Sequence, residues 1–141
     1  MSFRSQTHIP QRFAPFLTAG ERVHALVRGT REIEHNASIV VHTGMLLATD
    51  ERLIFAGSGP DQNEFGFYPH HTIDGLEADR DMLGFTVGFQ HKGLDVLVKW
   101  IHDPHFRRFF KTAQALRNAQ LDELSKRRDC ILSPPRRAAT Q

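Results

Sequence analysis

Near Asp103 the spacing of apolar residues changes from two to between three and four, and no other feature limits the fold of this chain so strongly. Upstream, apolar and polar residues alternate in short runs broken by turn residues. The cleanest run sets Phe85, Val87 and Phe89 against Thr86, Gly88 and Gln90. His91-Lys92-Gly93 then turns the chain into Leu94–Ile101, a hairpin. Val23, Ala25 and Val27 alternate in the same way with Arg22, His24 and Arg28, and residues 31–37 read as a polar connection. The stretch from Ser38 to Thr49 is β-branched and apolar, with Gly44 inside it. A glycine there predicts a bulge or bend. A tight turn at Thr49-Asp50-Glu51 leads into a strand from Arg52 to Ala56, and residues 57–63 have loop composition. Phe65, Phe67 and Tyr68 form a short strand stopped by Pro69. Ile73 to Ala78 forms another, with a turn over residues 79–84.

Downstream, Asp103 is a suitable helix cap and Pro104 suits a first helical position. Phe106, Phe109, Phe110, Ala113, Leu116, Leu121 and Leu124 recur at helical spacing, which predicts one amphipathic helix ending near Arg127 or Arg128. Seven short strands followed by one helix predict a mainly β fold with a single C-terminal α-helix. The expected architecture is a seven-stranded antiparallel sandwich or open barrel capped by that helix. The expected organisation is a flexible arm over residues 1–11, one domain over 12–128 and a disordered basic tail over 129–141. A short helical turn packing Phe13, Phe16 and Leu17 is expected before the first strand.

At 141 residues the chain has the size of one domain, and 40% hydrophobic with 24% charged residues is an ordinary globular balance. The charge is uneven: residues 1–102 sum to −3 and residues 103–141 to +5, within a total of +2. A single cysteine, Cys130, cannot form an internal disulfide, which points to a reducing compartment. No apolar run approaches the roughly 20 residues of a spanning helix, and the N-terminus lacks the apolar stretch of a secretory signal. The expectation is a soluble cytoplasmic chain.

The segment from Gly44 to Gly57, GMLLATDERLIFAG, adds a more specific signal: a strand ends in Thr49-Asp50-x-Arg52 and the next opens on Leu53-Ile54-Phe55. Gly20-Glu21-Arg22 leads into the first strand, Ile73 and Leu76 stand in the fifth, and Phe106, Phe109 and Phe110 open the helix. In that order these features resemble the bacterial pleckstrin-homology-like domains of the YokE-like type and, more distantly, GRAM domains. The resemblance covers roughly residues 12–125. It implies the helix-capped β fold, no catalysis and no cofactor. The motif itself reads as fold-making: Thr49 and Asp50 close a turn, Arg52 reaches back to a carboxylate or turn carbonyl, and Leu53 and Phe55 face away from Ile54.

No nucleophile stands with a base. His70, His71, His102 and His105 would make a metal site only if loop and helix met, and no metal is expected. Glu77, Asp79 and Asp81 read as a solvated strand and turn, and Cys130 as an incidental surface thiol near Lys126, Arg127 and Arg128. Gly57-Ser58-Gly59-Pro60 lacks the Lys-Ser/Thr of a phosphate loop. The resemblance implies partner binding. Pleckstrin-homology domains that hold phosphoinositides use basic residues around the first hairpin; here these are Arg28 and Arg31, with Glu32 and Glu34 opposing an anionic head group. The helix and tail add Arg107, Arg108, Lys111, Arg117, Lys126, Arg127, Arg128, Arg136 and Arg137. The expected function is a non-catalytic interaction module for a protein partner or for itself. The alternative is a peripheral module at the inner membrane surface, docking on anionic lipid through the basic helix and tail. Nothing marks a nucleic-acid protein, since no aromatic residues interleave the cations.

Overall fold

The computed structural model describes residues 15–35, 37–57 and 65–132, and the side chains of His35 and of residues 129–132 stand outside that description. Seven strands and one helix follow in order: β1 Val23–His35, β2 Ser38–Thr49, β3 Arg52–Gly57, β4 Phe65–Pro69, β5 Ile73–Asp81, β6 Gly84–His91, β7 Leu94–Ile101 and α1 Phe106–Leu132. A 3-10 turn at His70–Thr72 joins β4 to β5. All seven strands lie in one antiparallel sheet ordered β4-β3-β2-β1-β7-β6-β5. The architecture is therefore a single curled sheet with β4 and β5 as its edges, and α1 packs on its inner face.

Period-two alternation decides which side chains go inside. Val27 on β1, Leu46 and Ala48 on β2, Leu53 and Phe55 on β3, Val87 and Phe89 on β6, and Val96 and Val98 on β7 form the main core with Phe106, Phe109 and Ala113 of α1. Phe85 stacks on Phe106 at 4.3 Å, which fixes the start of the helix against β6. The opposite face carries a smaller cluster of Val23, Met45, Leu47, Ile54 and Ala56, with Leu17, Leu26 and Phe65 against it. Leu53 and Phe55 thus part from Ile54 as the alternation requires. Asp103 caps α1: its Oδ1 accepts the His105 N–H at 2.7 Å and its carbonyl the Phe106 N–H at 3.1 Å. At the β6–β7 turn both Lys92 (φ 54) and Gly93 (φ 81) are left-handed, the two-residue turn whose twist suits a hairpin.

Four elements differ from the sequence expectation. β1 does not stop before residue 31 but pairs with β2 all the way to His35↔Ser38, so the supposed polar connection is strand. Gly44 sits in regular register opposite both Gly29 and Gly57, with no bulge. Its missing side chain instead admits the Ala56 carbonyl and the Gly57 Cα, which a Cβ would strike. The fifth strand runs on to Asp81, and its irregularity falls between Asp74 and Glu77, around Gly75 at φ 63. The helix continues to Leu132, one turn past the expected end. Pro15 and Phe16 do form a short 3-10 turn, while Phe13, the arm over residues 1–11, residues 58–64 and the tail beyond residue 132 lie outside the described residues.

Candidate functional site

The Thr49–Arg52 corner is a knot of hydrogen bonds around one buried carboxylate. Arg52 grips Glu21 with both arms of its guanidinium, Nε to Oε2 at 2.9 Å and a terminal nitrogen to Oε1 at 3.0 Å. The other Glu21 donors are the Thr49 hydroxyl at 2.6 Å, the Thr18 N–H at 3.0 Å and the Thr18 hydroxyl at 3.4 Å. The same Arg52 terminal nitrogen reaches the Phe16 carbonyl at 2.6 Å, tying the approach to β1 onto β3. The Thr49 hydroxyl in turn accepts the N–H groups of Glu51 and Arg52, both at 3.0 Å, and Asp50 accepts the Arg22 N–H at 2.9 Å. Burial acts to raise the Glu21 pKa, but the bonds from Arg52, Thr49 and Thr18 outweigh it and hold the carboxyl below its ordinary value. His70 closes the corner from the other side. Fully buried, it meets the Thr49 carbonyl through Nε2 at 2.8 Å and leaves Nδ1 without a partner among the described residues. Burial lowers the His70 pKa, the Thr49 bond opposes that, and nearby Arg117 adds to the lowering. Apart from His70 Nδ1, the side-chain polar groups of the corner are engaged with one another or with the backbone, so it organises the chain.

The cations expected at a partner or membrane surface divide sharply. Arg31 is only 4% exposed. It faces the core from β1, donates to the Tyr68 hydroxyl at 3.0 Å and lies 4.6 Å over the Phe55 ring. Its guanidinium is thus an interior group and offers no charge to a surface. Arg117 is half-buried and donates to the Ile73 carbonyl at 2.8 Å, holding α1 to the start of β5. Lys126 and Arg127 are exposed but pair one helical turn back with Asp122 at 3.5 Å and Glu123 at 3.6 Å. Arg28, Arg107, Arg108, Lys111 and Arg128 are exposed. Arg136 and Arg137 lie outside the described residues.

The histidines do not converge. His70 belongs to the corner, His71 meets the Gln120 side chain at 3.2 Å, and His102 lies beside Gly84 near the start of α1. Among the described residues no three His, Cys, Asp or Glu side chains gather where they could hold a metal ion. Glu77, Asp79 and Asp81 project from the edge strand β5, all exposed. A groove between the β2–β3 corner and α1 is lined by Glu51, Arg52, His71, Gln120, Glu123, Leu124 and Arg127.

Two exposed apolar features escaped the sequence reading. On β2, Ile39, Val40 and Val41 are 66%, 36% and 51% exposed. At the β5–β6 turn Met82 and Leu83 are 97% and 57% exposed, and Trp100 nearby on β7 is 43% exposed. The β-branched run was legible as strand but not as surface.

A curled seven-stranded antiparallel sheet closed by one C-terminal helix defines the pleckstrin-homology-like fold. The solved "Vps36 N-terminal PH domain" is similar to this chain, with a TM-score of 0.55 and 14% identity over 77% of this chain and 86% of that one. The C-terminal domain of an unknown protein from Leishmania infantum is also similar, with a TM-score of 0.54 and 11% identity over 74% and 90% of the two chains. At such identities the likeness concerns the fold. No curated protein matches the chain. The family model described as "Bacterial PH domain" matches residues 17–115, and the chain belongs to that family. Such domains are in general non-catalytic modules for protein or lipid interaction. No helix among the described residues is long and apolar enough to cross a membrane.

Proposed function

We propose that this domain is a non-catalytic module that binds a protein partner, or a second copy of itself, along β2. The observation behind this reading is the row of exposed β-branched residues Ile39, Val40 and Val41. The β2–β3 register runs from Gly44↔Gly57 to Ala48↔Leu53, so residues 38–41 have only β1 as a ladder partner among the described residues. Exposed β-branched side chains on both faces of this strand end suit contact with another chain. Sedimentation equilibrium of the full chain tests self-association: the mass rises above 16.1 kDa with concentration, and I39K/V41K returns it to that value. A mass fixed at the monomer value removes self-association. Equal capture of partners by the wild type and I39K/V41K would then reject β2 as the binding strand.

The second reading, docking on anionic lipid, draws support from the first turns of α1. Arg107, Arg108 and Lys111 are exposed there and no acidic residue stands in the first turn. The far end of the helix supports it less, because Lys126 and Arg127 are neutralised by Asp122 and Glu123.

A further inference from the structure

The β5–β6 turn exposes two large apolar side chains where a hairpin tip ordinarily carries polar ones. Asp81 pairs with Gly84 across the turn, leaving Met82 at 97% and Leu83 at 57% exposure between them. The tip stands at the end of β7: Phe85 pairs with Ile101, and Gly84 packs against the Ile101 carbonyl and the His102 ring. One residue before Ile101 is Trp100, the chain's single tryptophan.

Trp100 reaches the surface because the strand is bent there. Alternation sends Val98 inward and Lys99 outward, so Trp100 would point inward and Ile101 outward. The register instead shifts between Phe85 and Val87, placing Lys99 and Trp100 together opposite Thr86, with Trp100 at φ 58. Ile101 therefore takes the inward place at 0% exposure and Trp100 stays outside at 43%. A left-handed backbone is strained for an aromatic residue, and such bulges re-aim a side chain.

Cations rim these apolar groups. Arg80 and Arg107 both lie over the Phe85 ring, at 5.4 and 5.7 Å, at the base of the hairpin. Arg107 and Arg108 occupy the first turn of α1, where the helix dipole disfavours positive charge. Lys111 follows one turn on. None of these four takes part in an ion pair among the described residues. Carboxylates stand on the same hairpin and keep their charge, but none of them pairs with these four cations among the described residues. Asp81 accepts the Leu83 N–H at 2.7 Å and Asp79 the Arg80 N–H at 2.8 Å. Asp103 caps the helix, and Glu32 pairs with Lys99 at 3.2 Å.

We propose that Met82, Leu83 and Trp100 insert into the interfacial layer of a phospholipid bilayer while Arg80, Arg107, Arg108 and Lys111 meet its anionic phosphates. This deepens the second reading above by naming its surface, and it is independent of the protein-partner reading. Val40 faces Ile33 and Ile33 faces Val96, so the β2 row lies at the opposite end of β7. The occupant is a bilayer because tryptophan, with its apolar ring and N–H donor, suits the headgroup boundary, and because unpaired arginines complement phosphate.

The single tryptophan makes the test direct. Emission of the full chain is titrated with vesicles of phosphatidylcholine alone and of phosphatidylcholine with phosphatidylglycerol. The expected result is a blue shift of Trp100, stronger on the anionic vesicles. M82S/L83S, whose exposed positions leave thermal unfolding unchanged, weakens partitioning by about tenfold or more, from the apolar burial lost. R107Q/R108Q weakens it by roughly an order of magnitude and flattens the salt dependence. R127Q/R128Q leaves it as in the wild type. An absent shift on both vesicles overturns the proposal. So does co-sedimentation without a shift of Trp100, or binding lost in R127Q/R128Q but kept in M82S/L83S.

Discussion

Changing Glu21 to Gln removes one charge and reverses one end of a hydrogen-bond set. The carboxylate accepts five bonds: the Thr18 N–H, the Thr18 hydroxyl and an Arg52 terminal nitrogen on Oε1, the Thr49 hydroxyl and Arg52 Nε on Oε2. Whichever way a glutamine amide turns, its NH₂ confronts at least two donors. Arg52, with its side chain 17% exposed, keeps a charge whose partner is gone, and the Glu21 side chain is fully buried. Breaking a buried pair in this one-sided way costs about 3–5 kcal/mol. For a chain of this size that corresponds to a fall in Tm of very roughly 10–15 °C. The assay is urea unfolding of the wild type and E21Q, repeated from neutral pH to well below pH 4. The Glu21 pKa is lowered on folding, so its contribution is complete above the unfolded value of 4.5 and fades as pH falls through the folded value. The two proteins should therefore converge in acid. A loss below about 1 kcal/mol at neutral pH, or a difference independent of pH, would refute the idea that this carboxylate holds the corner.

Gly44→Ala should cost about 3 kcal/mol or more, or prevent folding, because the new Cβ meets Ala56 and Gly57 backbone that cannot step aside; urea unfolding measures it. His70 is held neutral inside, with its pKa below the unfolded 6.5, so the unfolded chain binds the extra proton and stability declines as pH falls below about that value. Thermal melts from pH 8 to 5 should show this slope in the wild type and a shallower one in H70Q; equal slopes would assign it to other groups.

The strands most legible in sequence were those with one wet face. β6 and β7 alternate plainly because Thr86, Gln90, Asp95 and Lys99 face outward between buried partners. The second half of β1 was opaque for the opposite reason. Arg31 occupies an inward position in step with Val27 and Ile33, and a charged residue there reads as loop until Tyr68 and Phe55 are seen around it. The Thr49-Asp50-x-Arg52 motif announced its corner and the reach of Arg52 to a carboxylate, because the turn's own bonds are short in sequence and aim that side chain; the carbonyl that Arg52 meets belongs to Phe16 and not to the turn. Of the candidate surface, the cations were visible and their availability was not: whether Lys126 is free depends on Asp122 one turn away, whereas Arg117 depends on Ile73, far off in the chain. Trp100 was missed because a bulge erases the parity from which inward and outward are inferred.

A sheet that curls without closing keeps two raw borders, and each is a place where further chains could add and begin a fibril. The borders here are guarded differently. β4 is five residues long and ends in Pro69, which offers no N–H to a newcomer. β5 is longer but kinked at Gly75, and Glu77, Asp79 and Asp81 stand along one of its faces, where an identical strand laid alongside would set like charges together. The same acids that lend the body its negative charge thereby keep a crowded solution of this protein from polymerising edge to edge.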